Sequence, residues 1–233
     1  MNIALFGYGK MGRLIEKIAL ERQHKVVAIK DIDRPKVDYQ EVEIGIDFSS
    51  PEAAVDNILE CLDHGIPIIS GTTGWLERFD EVVEICNQKK GAFLYASNFS
   101  LGVNIFFALN SKLTELMEPM TEYKAEIEEI HHIHKVDAPS GTAITLAEDI
   151  IANSIYQDWQ LNQGSGTTLP IHSKRIGETP GTHTISYSSP IDDIEIKHTA
   201  HSRNGFALGA VVAAEWLQGK TGVFSMKDVL NLG

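Results

Sequence analysis

Residues 2–31, NIALFGYGKMGRLIEKIALERQHKVVAIKD, determine how the first part of the chain folds. The apolar run at 2–6 predicts a buried strand, and the run at 25–29 predicts a second strand. Between them, apolar residues recur at helical spacing over 13–22. A strand, a helix and a strand within about 30 residues predict a βαβ unit.

The first strand leads into Gly7-x-Gly9-x-x-Gly12, which has a predicted strand before it and a predicted helix after it. Glycines at this spacing allow a tight turn and let the backbone approach a pyrophosphate. The helix N-terminus adds N–H donors and a partial positive charge. We therefore expect this turn to bind a dinucleotide rather than to be only a structural turn. The expected cofactor-binding residues are Gly7, Tyr8, Gly9, Lys10, Met11 and Gly12.

Strands and helices continue to alternate up to about residue 99. Apolar runs at 44–48, 67–70 and 92–96 predict three more strands, separated by helical patterns. This order predicts a doubly wound parallel sheet, in which ligands bind outside the carboxyl ends of the strands. The loops after the last two strands should therefore contact the cofactor, unless they are simple turns. Their residues are Gly71, Thr72, Thr73, Ala96, Ser97, Asn98 and Phe99, of which Thr73 is also expected to contact substrate.

The end of the second strand bears on the choice of cofactor. An acidic residue is usual there and binds the ribose 2′-hydroxyl. Here Lys30 occupies that place and Asp31 follows it. A lysine attracts a 2′-phosphate, so we hypothesise that Lys30 permits or favours NADPH, while Asp31 or Asp33 still allows NADH. The alternative is that Lys30 is a solvated charge at a strand end. The expected cofactors are NADPH and/or NADH.

The pattern changes after residue 99. Residues 123–132 alternate between apolar and polar, which predicts a strand with one wet face on which Glu129 should lie. Residues 160–170 are rich in Gly, Ser and Thr and predict a loop. The other predicted elements are helices at 103–117, 143–155 and 207–217 and strands at 173–176, 181–188 and 191–200, the last two antiparallel.

These patterns predict an α/β protein with two domains. An N-terminal Rossmann-type domain with a doubly wound parallel sheet should comprise residues 1–99, completed by about 207–233. An α+β domain at 100–206 should bind substrate, form oligomers and contain a mixed, largely antiparallel sheet. The cofactor is expected to meet a small anionic substrate held by this second domain.

Residues 129–143, EIHHIHKVDAPSGTA, hold most of the reactive side chains. Histidine donates protons near neutral pH, and Lys135 offers a charge for a carboxylate or a second proton donor. The helix start at 140–142 predicts an anion site. A metal site of His131, His132 and His134 is a rival, but adjacent strand residues point to opposite faces, and no cysteine is near. We therefore expect no metal. A purely structural role for the cluster is the other alternative.

Composition limits the function classes. The 233 residues carry a formal net charge of −12, which argues against a nucleic-acid partner. There are two cysteines, Cys61 and Cys86, and both are expected to be reduced. Neither a basic leader nor a long apolar stretch is present, so we expect no membrane segment and a cytoplasmic location. An anionic ligand must then be bound by local dipoles and a few placed cations.

Seven further segments accompany the sequence HHIHKVDAPSGTA at 131–143. They are GYGKMG at 7–12, IDFSSP at 46–51, GTTG at 71–74, SNFSLGVN at 97–104, GTHTISY at 181–187, HSRNGFALGA at 201–210 and GVFSMKDVL at 222–230. Together they resemble the dihydrodipicolinate reductase family, also called 4-hydroxy-tetrahydrodipicolinate reductase, over nearly the whole chain. The chain differs from the usual pattern at Lys30, where the family has an acid, at Ile130, and at Pro180 and Thr182.

The resemblance implies an enzyme that reduces 4-hydroxy-tetrahydrodipicolinate with NAD(P)H, with loss of water, in lysine and diaminopimelate biosynthesis. It implies that His131 is a general acid/base and Lys135 a proton donor, with either of them able to supply the proton. Substrate-binding positions are His132, Gly141 and Thr142, and the clamp for a small dicarboxylate would add Ser140 and Thr73. The family is usually a homotetramer built through strands of the substrate domain. Rival functions are a non-catalytic NAD(P) sensor and another two-domain reductase, such as an amino-acid dehydrogenase.

Overall fold

The protein divides into two compact units in a computed structural model that describes residues 1–34 and 36–232. Unit 1 consists of Met1–Leu101 together with Asn204–Gly233, and unit 2 consists of Gly102–Arg203.

Within the described residues, unit 1 is built on a six-stranded parallel sheet. Its strands are β1 (Asn2–Phe6), β2 (Lys25–Lys30), β3 (Ile44–Asp47), β4 (Ile68–Ser70), β5 (Ala92–Tyr95) and β11 (Gly222–Phe224). Their order is β11-β5-β4-β3-β1-β2. The chain adds β2 on one side of β1 and then crosses to place β3 on the other side. The direction of winding thus changes at β1, and ligands of doubly wound sheets bind beside such a point.

Helices cover both faces of this sheet. They are α1 (Lys10–Glu21), α2 (Pro51–Asp63), α3 (Phe79–Gln88), α6 (Asn204–Leu217) and α7 (Met226–Leu230). Successive strand residues point to opposite faces. Leu5 therefore packs with Ile15 of α1 and Val211 of α6, whereas Phe6 packs with Val55 of α2 on the other face. The predicted doubly wound Rossmann-type sheet is confirmed.

Unit 2 contains a mixed sheet with helices on one face. The elements are α4 (Leu101–Met117, which begins at the end of unit 1), β6 (Lys124–His131), α5 (Gly141–Ala152), β7 (Asp158–Leu161), β8 (Thr168–Arg175), β9 (Gly181–Ser188) and β10 (Asp193–Ala200). The strand order is β10-β9-β6-β8-β7. The pairs β6–β8 and β7–β8 are parallel, whereas β9 is antiparallel to β6 and β10. Phe106 of α4 and Leu146 of α5 pack on Ile127 and Ile185 of the sheet.

Two local predictions in unit 2 were wrong. The predicted loop at 160–170 contains the end of β7 and the start of β8. These strands carry no apolar run, because β7 is a half-exposed edge strand and β8 includes Pro170. The buried face of β6 also continues through Glu129, which is 0% exposed and does not lie on the wet face. No helix in the described ranges is both long and apolar enough to cross a bilayer.

Candidate functional site

The glycine turn after β1 depends on close backbone approach. Gly7 has φ +87°, and a Cβ there would lie 2.3 Å from the carbonyl oxygen of Phe48, which follows β3. A Cβ on Gly12 would lie 2.3 Å from the carbonyl oxygen of Gly7. Gly7 must be glycine because of both its positive φ and the lack of space, and Gly12 because of the lack of space alone. The turn is therefore held between β3 and the first turn of α1.

Gly9 has the opposite environment. It is the N-cap of α1, its φ is −76°, and a Cβ there would meet nothing within 4 Å. No side chain caps this helix. Open space beside an uncapped helix N-terminus suits a pyrophosphate, so the residues present fit a dinucleotide. Of the other predicted residues in this turn, Tyr8 donates its N–H to Asp31 Oδ2 at 3.1 Å, Lys10 is exposed and Met11 is half-buried.

A buried carboxylate joins the loops that follow β3 and β4. Asp47 is 0% exposed. Its Oδ1 accepts hydrogen bonds from Ser49 Oγ (2.6 Å) and Asn57 Nδ2 (3.1 Å). Its Oδ2 accepts from Ser70 Oγ (2.8 Å) and Thr72 Oγ1 (2.7 Å). Burial raises the pKa of Asp47, although the four donors oppose this rise. The hydroxyl of Thr72 thus forms its hydrogen bond within the protein.

The remaining predicted cofactor residues lie at the carboxyl ends of β4 and β5. Gly71 donates its N–H to the Asp47 carbonyl at 2.9 Å, and a Cβ there would lie 2.4 Å from the Phe48 ring. The ring of buried Phe99 lies 5.6 Å from that of Phe48. Thr73 and Ser97 are exposed, Ala96 donates its N–H to the Ser70 carbonyl at 3.2 Å, and Asn98 Oδ1 accepts from the Ser100 N–H at 2.9 Å. These residues therefore share the sheet edge that holds the glycine turn.

Lys30 does not stand free at the end of β2. Its ammonium group forms an ion pair with Glu60 of α2 and lies 5.8 Å from the centre of the Phe6 ring. The adjacent carboxylate of Asp31 accepts hydrogen bonds from the N–H groups of Tyr8 (3.1 Å) and Ile32 (2.9 Å). The lysine charge is thus balanced within the chain, and a carboxylate lies beside the glycine turn.

In unit 2, the centre of the candidate site is Glu129. Its Oε2 accepts the Ser140 N–H at 3.0 Å and lies 3.3 Å from His131 Nδ1. Its Oε1 accepts from Ser173 Oγ at 2.7 Å and from Arg175 Nη2 at 3.2 Å. Burial alone would raise the pKa of Glu129, but His131, Ser140 and Ser173 hold that pKa well below its usual range. The side chain is therefore an ionised carboxylate at neutral pH.

His183 of β9 completes this buried cluster. Its Nε2 lies 3.1 Å from Ser140 Oγ and 3.8 Å from Glu129 Oε2, and its ring centre lies 5.2 Å from that of His131. Burial, followed by the charge of His131, lowers the pKa of His183 to about 4, although Glu129 opposes this shift. His183 is thus neutral at pH 7.

The start of α5 offers two backbone donors. Ser140 is its N-cap: the N–H bonds Glu129, and the hydroxyl accepts from the Ala143 N–H at 3.2 Å and contacts His183. Ser140 is therefore engaged inside the protein. For the N–H groups of Gly141 and Thr142, no protein acceptor occurs among the described residues, and a Cβ on Gly141 would meet nothing within 4 Å. These two groups can bind an anion.

Lys135 lies in the loop between β6 and α5. Its Nζ donates to both carboxylate oxygens of Asp137, at 2.8 and 2.7 Å, and this contact lowers the pKa of Asp137. Arg175 fixes the same loop by donating to the carbonyls of Asp137 (2.6 Å) and Lys135 (3.4 Å). Through its contact with Glu129, Arg175 joins the lysine loop to the buried cluster.

The three predicted histidines do not come together. His131 packs against His183, whereas the ring centre of His132 lies 6.1 Å from that of His134. His134 is exposed, 3.4 Å from Glu178 Oε1, and His132 Nδ1 is buried with no hydrogen-bond partner within the described ranges.

Glu129, His131 and His183 each present one ligand atom within 4.8 Å of the others, close enough to hold a metal ion. The guanidinium of Arg175 already balances the Glu129 charge, so the arrangement is better described as a hydrogen-bonded cluster.

Sequence reasoning missed Asp47, Glu129, Arg175 and His183 as members of the sites. A signal for Glu129 was present, because residues two apart on a strand share a face and His131 was already a candidate. No local signal joins Glu129 to His183, since they become direct partners only through the β6–β9 register.

Comparisons with known proteins agree over the full length. The family model described as dihydrodipicolinate reductase, N-terminus, matches residues 1–99, and the model for the C-terminus matches residues 102–230. A relative from Christiangramia forsetii, named 4-hydroxy-tetrahydrodipicolinate reductase, is 56% identical and covers 99% of this chain and 98% of its own. A protein of the same name from Neisseria meningitidis is 36% identical and covers 80% of this chain and 72% of its own.

Solved structures share the fold at low identity. A dipicolinate-bound dihydrodipicolinate reductase from Paenisporosarcina sp. TG-14 has a TM-score of 0.77 at 21% identity, and 97% of each chain is covered. A probable dehydrogenase from Thermotoga maritima has a TM-score of 0.58 at 10% identity, covering 100% of this chain and 93% of its own.

Alanine should have opposite effects at Gly7 and at Gly9. Gly9→Ala should change the free energy of unfolding by no more than about 1 kcal/mol, because it creates no clash, yet weaken dinucleotide binding at least about tenfold by filling the open space. Gly7→Ala should destabilise the fold by roughly 2 kcal/mol or more through its positive φ and the Phe48 carbonyl. Urea unfolding and dinucleotide titration measure both. Tight binding by Gly9→Ala would contradict the placement of the pyrophosphate.

The lowered pKa of His183 predicts that the stability of the protein depends on pH. In the unfolded chain the His183 side chain takes up a proton near pH 6.5, whereas burial lowers its pKa to about 4 in the folded chain. The free energy of unfolding should therefore fall on the order of 2 kcal/mol between pH 7 and pH 5 through this group alone. Urea unfolding at both pH values measures this loss. His183→Gln should lose less stability over this interval than the parent chain, and an equal loss in both would contradict the assignment.

Proposed function

Because the chain belongs to the dihydrodipicolinate reductase family, we propose that it catalyses the NAD(P)H-dependent reduction of 4-hydroxy-tetrahydrodipicolinate to tetrahydrodipicolinate, a step of lysine and diaminopimelate biosynthesis. One observation carries the proposal furthest. The Glu129 carboxylate contacts the buried His131 and the open N-terminus of α5, and Arg175 links the same carboxylate to the loop that carries Lys135. A protein that only senses the dinucleotide has no need of this second set of groups.

The substrate is a cyclic dicarboxylate, so its binding requires groups that stabilise negative charge. We propose that Lys135 and the N–H groups of Gly141 and Thr142 bind the carboxylates, with His132 beside them. Lys135 is paired with Asp137, and an incoming carboxylate would replace that contact. The hydroxyl and N–H of Ser140 are already bonded within the protein, so its contribution is to cap α5 rather than to reach the ligand. Thr73, an exposed residue of unit 1, stays a proposed contact.

Proton transfer is the step that unit 2 can perform. Loss of water from the 4-hydroxy ring leaves a conjugated imine, which accepts one hydride and one proton to give the product. We propose that His131 or Lys135 supplies this proton, a contribution of about 10²–10⁴-fold to the rate. The bound nicotinamide cofactor supplies the hydride.

The residues of unit 1 would bind and orient that cofactor. The uncapped N-terminus of α1 faces the space beside Gly9 and would hold the pyrophosphate. Asp47 fixes Ser70 and Thr72, and so orders the predicted contact loop after β4. The half-buried Phe48 ring and the buried Phe99 ring form an apolar surface at the same sheet edge and would exclude water there.

For the choice between NADPH and NADH, we propose that the chain accepts both. The Asp31 carboxylate beside the glycine turn suits a ribose hydroxyl, whereas Lys30 attracts a 2′-phosphate. The ion pair with Glu60 weakens this attraction without removing it.

We also propose a cytoplasmic homotetramer assembled through the sheet of unit 2. The edge strand β10 of this sheet is mostly exposed, Ile194 near its start is 38% exposed, and Ile191, which precedes the strand, is 90% exposed. The two free, buried cysteines, Cys61 and Cys86, suit a reducing compartment.

His131 and Lys135 should be required for turnover but not for cofactor binding. We expect His131→Ala and Lys135→Ala each to lower kcat by about 10²-fold or more, since each removes a proposed proton donor, while the Kd for NADPH changes less than about threefold. The assay generates the substrate from aspartate semialdehyde and pyruvate with the preceding synthase and follows NADPH and NADH oxidation separately.

Neighbouring residues provide matched controls for this experiment. His134 is exposed, and Lys174 is paired with Glu128 on the same sheet. His134→Ala and Lys174→Ala should keep kcat within about threefold of the parent enzyme. Near-normal turnover by both His131→Ala and Lys135→Ala would refute the proposed roles, and no turnover by the parent enzyme would refute the proposed reaction.

Two variants should shift cofactor preference in opposite directions. Lys30→Glu removes the charge that attracts a 2′-phosphate, so the ratio of kcat/KM for NADPH to that for NADH should fall several-fold. Glu60→Gln frees the Lys30 ammonium from its partner, so the same ratio should rise. Steady-state kinetics with both cofactors provides the measurement, and an unchanged ratio in both variants would show that Lys30 is only a strand-end charge.

A further inference from the structure

We infer that Glu129 is a positioning residue, which through a single carboxylate oxygen fixes the proton-bearing nitrogen of His131 and the first turn of α5. The inference rests on the proposed function, in which His131 exchanges a proton with the substrate and α5 binds a carboxylate.

The two oxygens of Glu129 have separate tasks. Oε1 is bound by Ser173 and Arg175, which anchor the side chain to β8. Oε2 faces the site, 3.0 Å from the Ser140 nitrogen and 3.3 Å from His131 Nδ1. The anchored oxygen therefore determines where the second oxygen lies, and the second oxygen contacts both functional groups.

His131 Nδ1 is buried and forms no regular hydrogen bond within the described ranges, so the carboxylate oxygen 3.3 Å away is the acceptor that a proton on this nitrogen would meet. This contact selects a tautomer. A carboxylate oxygen close to Nδ1 favours a proton on that nitrogen, because an ionised carboxylate can only accept a hydrogen bond. In the neutral ring, Nε2 is then the nitrogen free to exchange a proton. A carboxylate that holds an imidazole in one tautomer and orientation is a recurrent device of acid–base catalysis.

The remaining contacts keep Glu129 in this role. Arg175 compensates its charge, and the hydrogen-bonding groups around it hold its pKa low, so that it accepts rather than donates. His183 is neutral and lies 3.8 Å from Oε2, farther than His131, with its Nε2 directed at Ser140 Oγ. Of the two histidines, His131 is therefore the one that contacts the carboxylate oxygen more closely.

Glu129→Gln separates this role from two simpler ones. The glutamine oxygen can still accept the Ser140 N–H, so the start of α5 is retained, but the carboxylate beside His131 is lost. A purely electrostatic role predicts stronger binding of a dianion after removal of a negative charge. A purely structural role predicts parallel losses of stability, ligand binding and kcat.

The test compares Glu129→Gln with Glu128→Gln, which removes the neighbouring carboxylate of β6, paired with Lys174. We expect Glu129→Gln to lower kcat at least about tenfold, within the range of general acid–base catalysis, while the Kd of the dicarboxylate probe dipicolinate changes less than about threefold. Glu128→Gln should keep kcat within about threefold of the parent enzyme, because successive strand residues point to opposite faces of the sheet. Glu129→Asp retains the negative charge and should recover part of the kcat lost in the glutamine variant.

Nitrogen NMR of ¹⁵N-histidine-labelled protein gives a readout that needs no turnover. The chain has nine histidines, and the His131 signals are assigned by their loss in His131→Gln. In the parent protein the neutral His131 ring should carry its proton on Nδ1, and in Glu129→Gln the share on Nε2 should increase. This arm stands even if the proposed reaction fails in the coupled assay, so the two failures are distinguishable.

Three results would overturn the inference. The first is a kcat for Glu129→Gln within twofold of the parent enzyme. The second is a proton on Nε2 of the neutral His131 ring in the parent protein, a measurement that stays decisive if the glutamine variant does not fold. The third is a loss of kcat accompanied by an equal loss of dipicolinate affinity.

Discussion

A carboxylate removed from water must be surrounded by hydrogen-bond donors, and this constraint organises the loops of both units. Asp47 and Glu129 are each 0% exposed. Asp47 collects donors from the segments after β3 and β4 and from α2. Glu129 collects donors from β8 and from the start of α5. In each unit the donors come from segments far apart in sequence, so satisfying one buried carboxyl group fixes the relative positions of several loops. The loops that carry the proposed ligand contacts are those held in this way.

The two carboxylates are satisfied differently, and the difference suits their surroundings. Asp47 is bonded by hydroxyl and amide groups of neutral side chains, which oppose but do not cancel the rise in its pKa that burial causes. A neutral donor set is appropriate at a sheet edge where a negatively charged dinucleotide would bind, because it adds no cation that could move to the ligand. Glu129 has Arg175 as a partner and remains ionised. The same guanidinium bonds two carbonyls of the loop that carries Lys135, so the charge balance of Glu129 and the shape of this loop depend on each other.

The sequence predicted best what is determined over short distances. The strand, the turn at Gly7 and the helix after it lie within about 30 residues, and glycine is required there for a local reason, so the glycine turn and the parallel sheet could be predicted. Glu129 was assigned to the wet face because a charged residue on an amphipathic strand is usually exposed. Its burial depends on Arg175 and Ser173, more than 40 positions away, and on His183, its partner in the β6–β9 register. β7 was missed because it carries no apolar run. It is a strand because its backbone pairs with that of β8.

The same contacts explain how an acidic chain can bind anions. Near the candidate sites, Lys30, Lys135 and Arg175 are each paired with a carboxylate of the chain, namely Glu60, Asp137 and Glu129. An anionic ligand gains little from a cation that is already neutralised unless it displaces the internal partner. The N-termini of α1 and α5 have no such competitor, because the space beside Gly9 and Gly141 is open and glycine keeps it open. Backbone dipoles are also unaffected by the net charge of −12, since they act over about one helical turn. In the proposed function, anion binding therefore depends first on two helix starts, and the lysines add to it when the ligand displaces their internal partners.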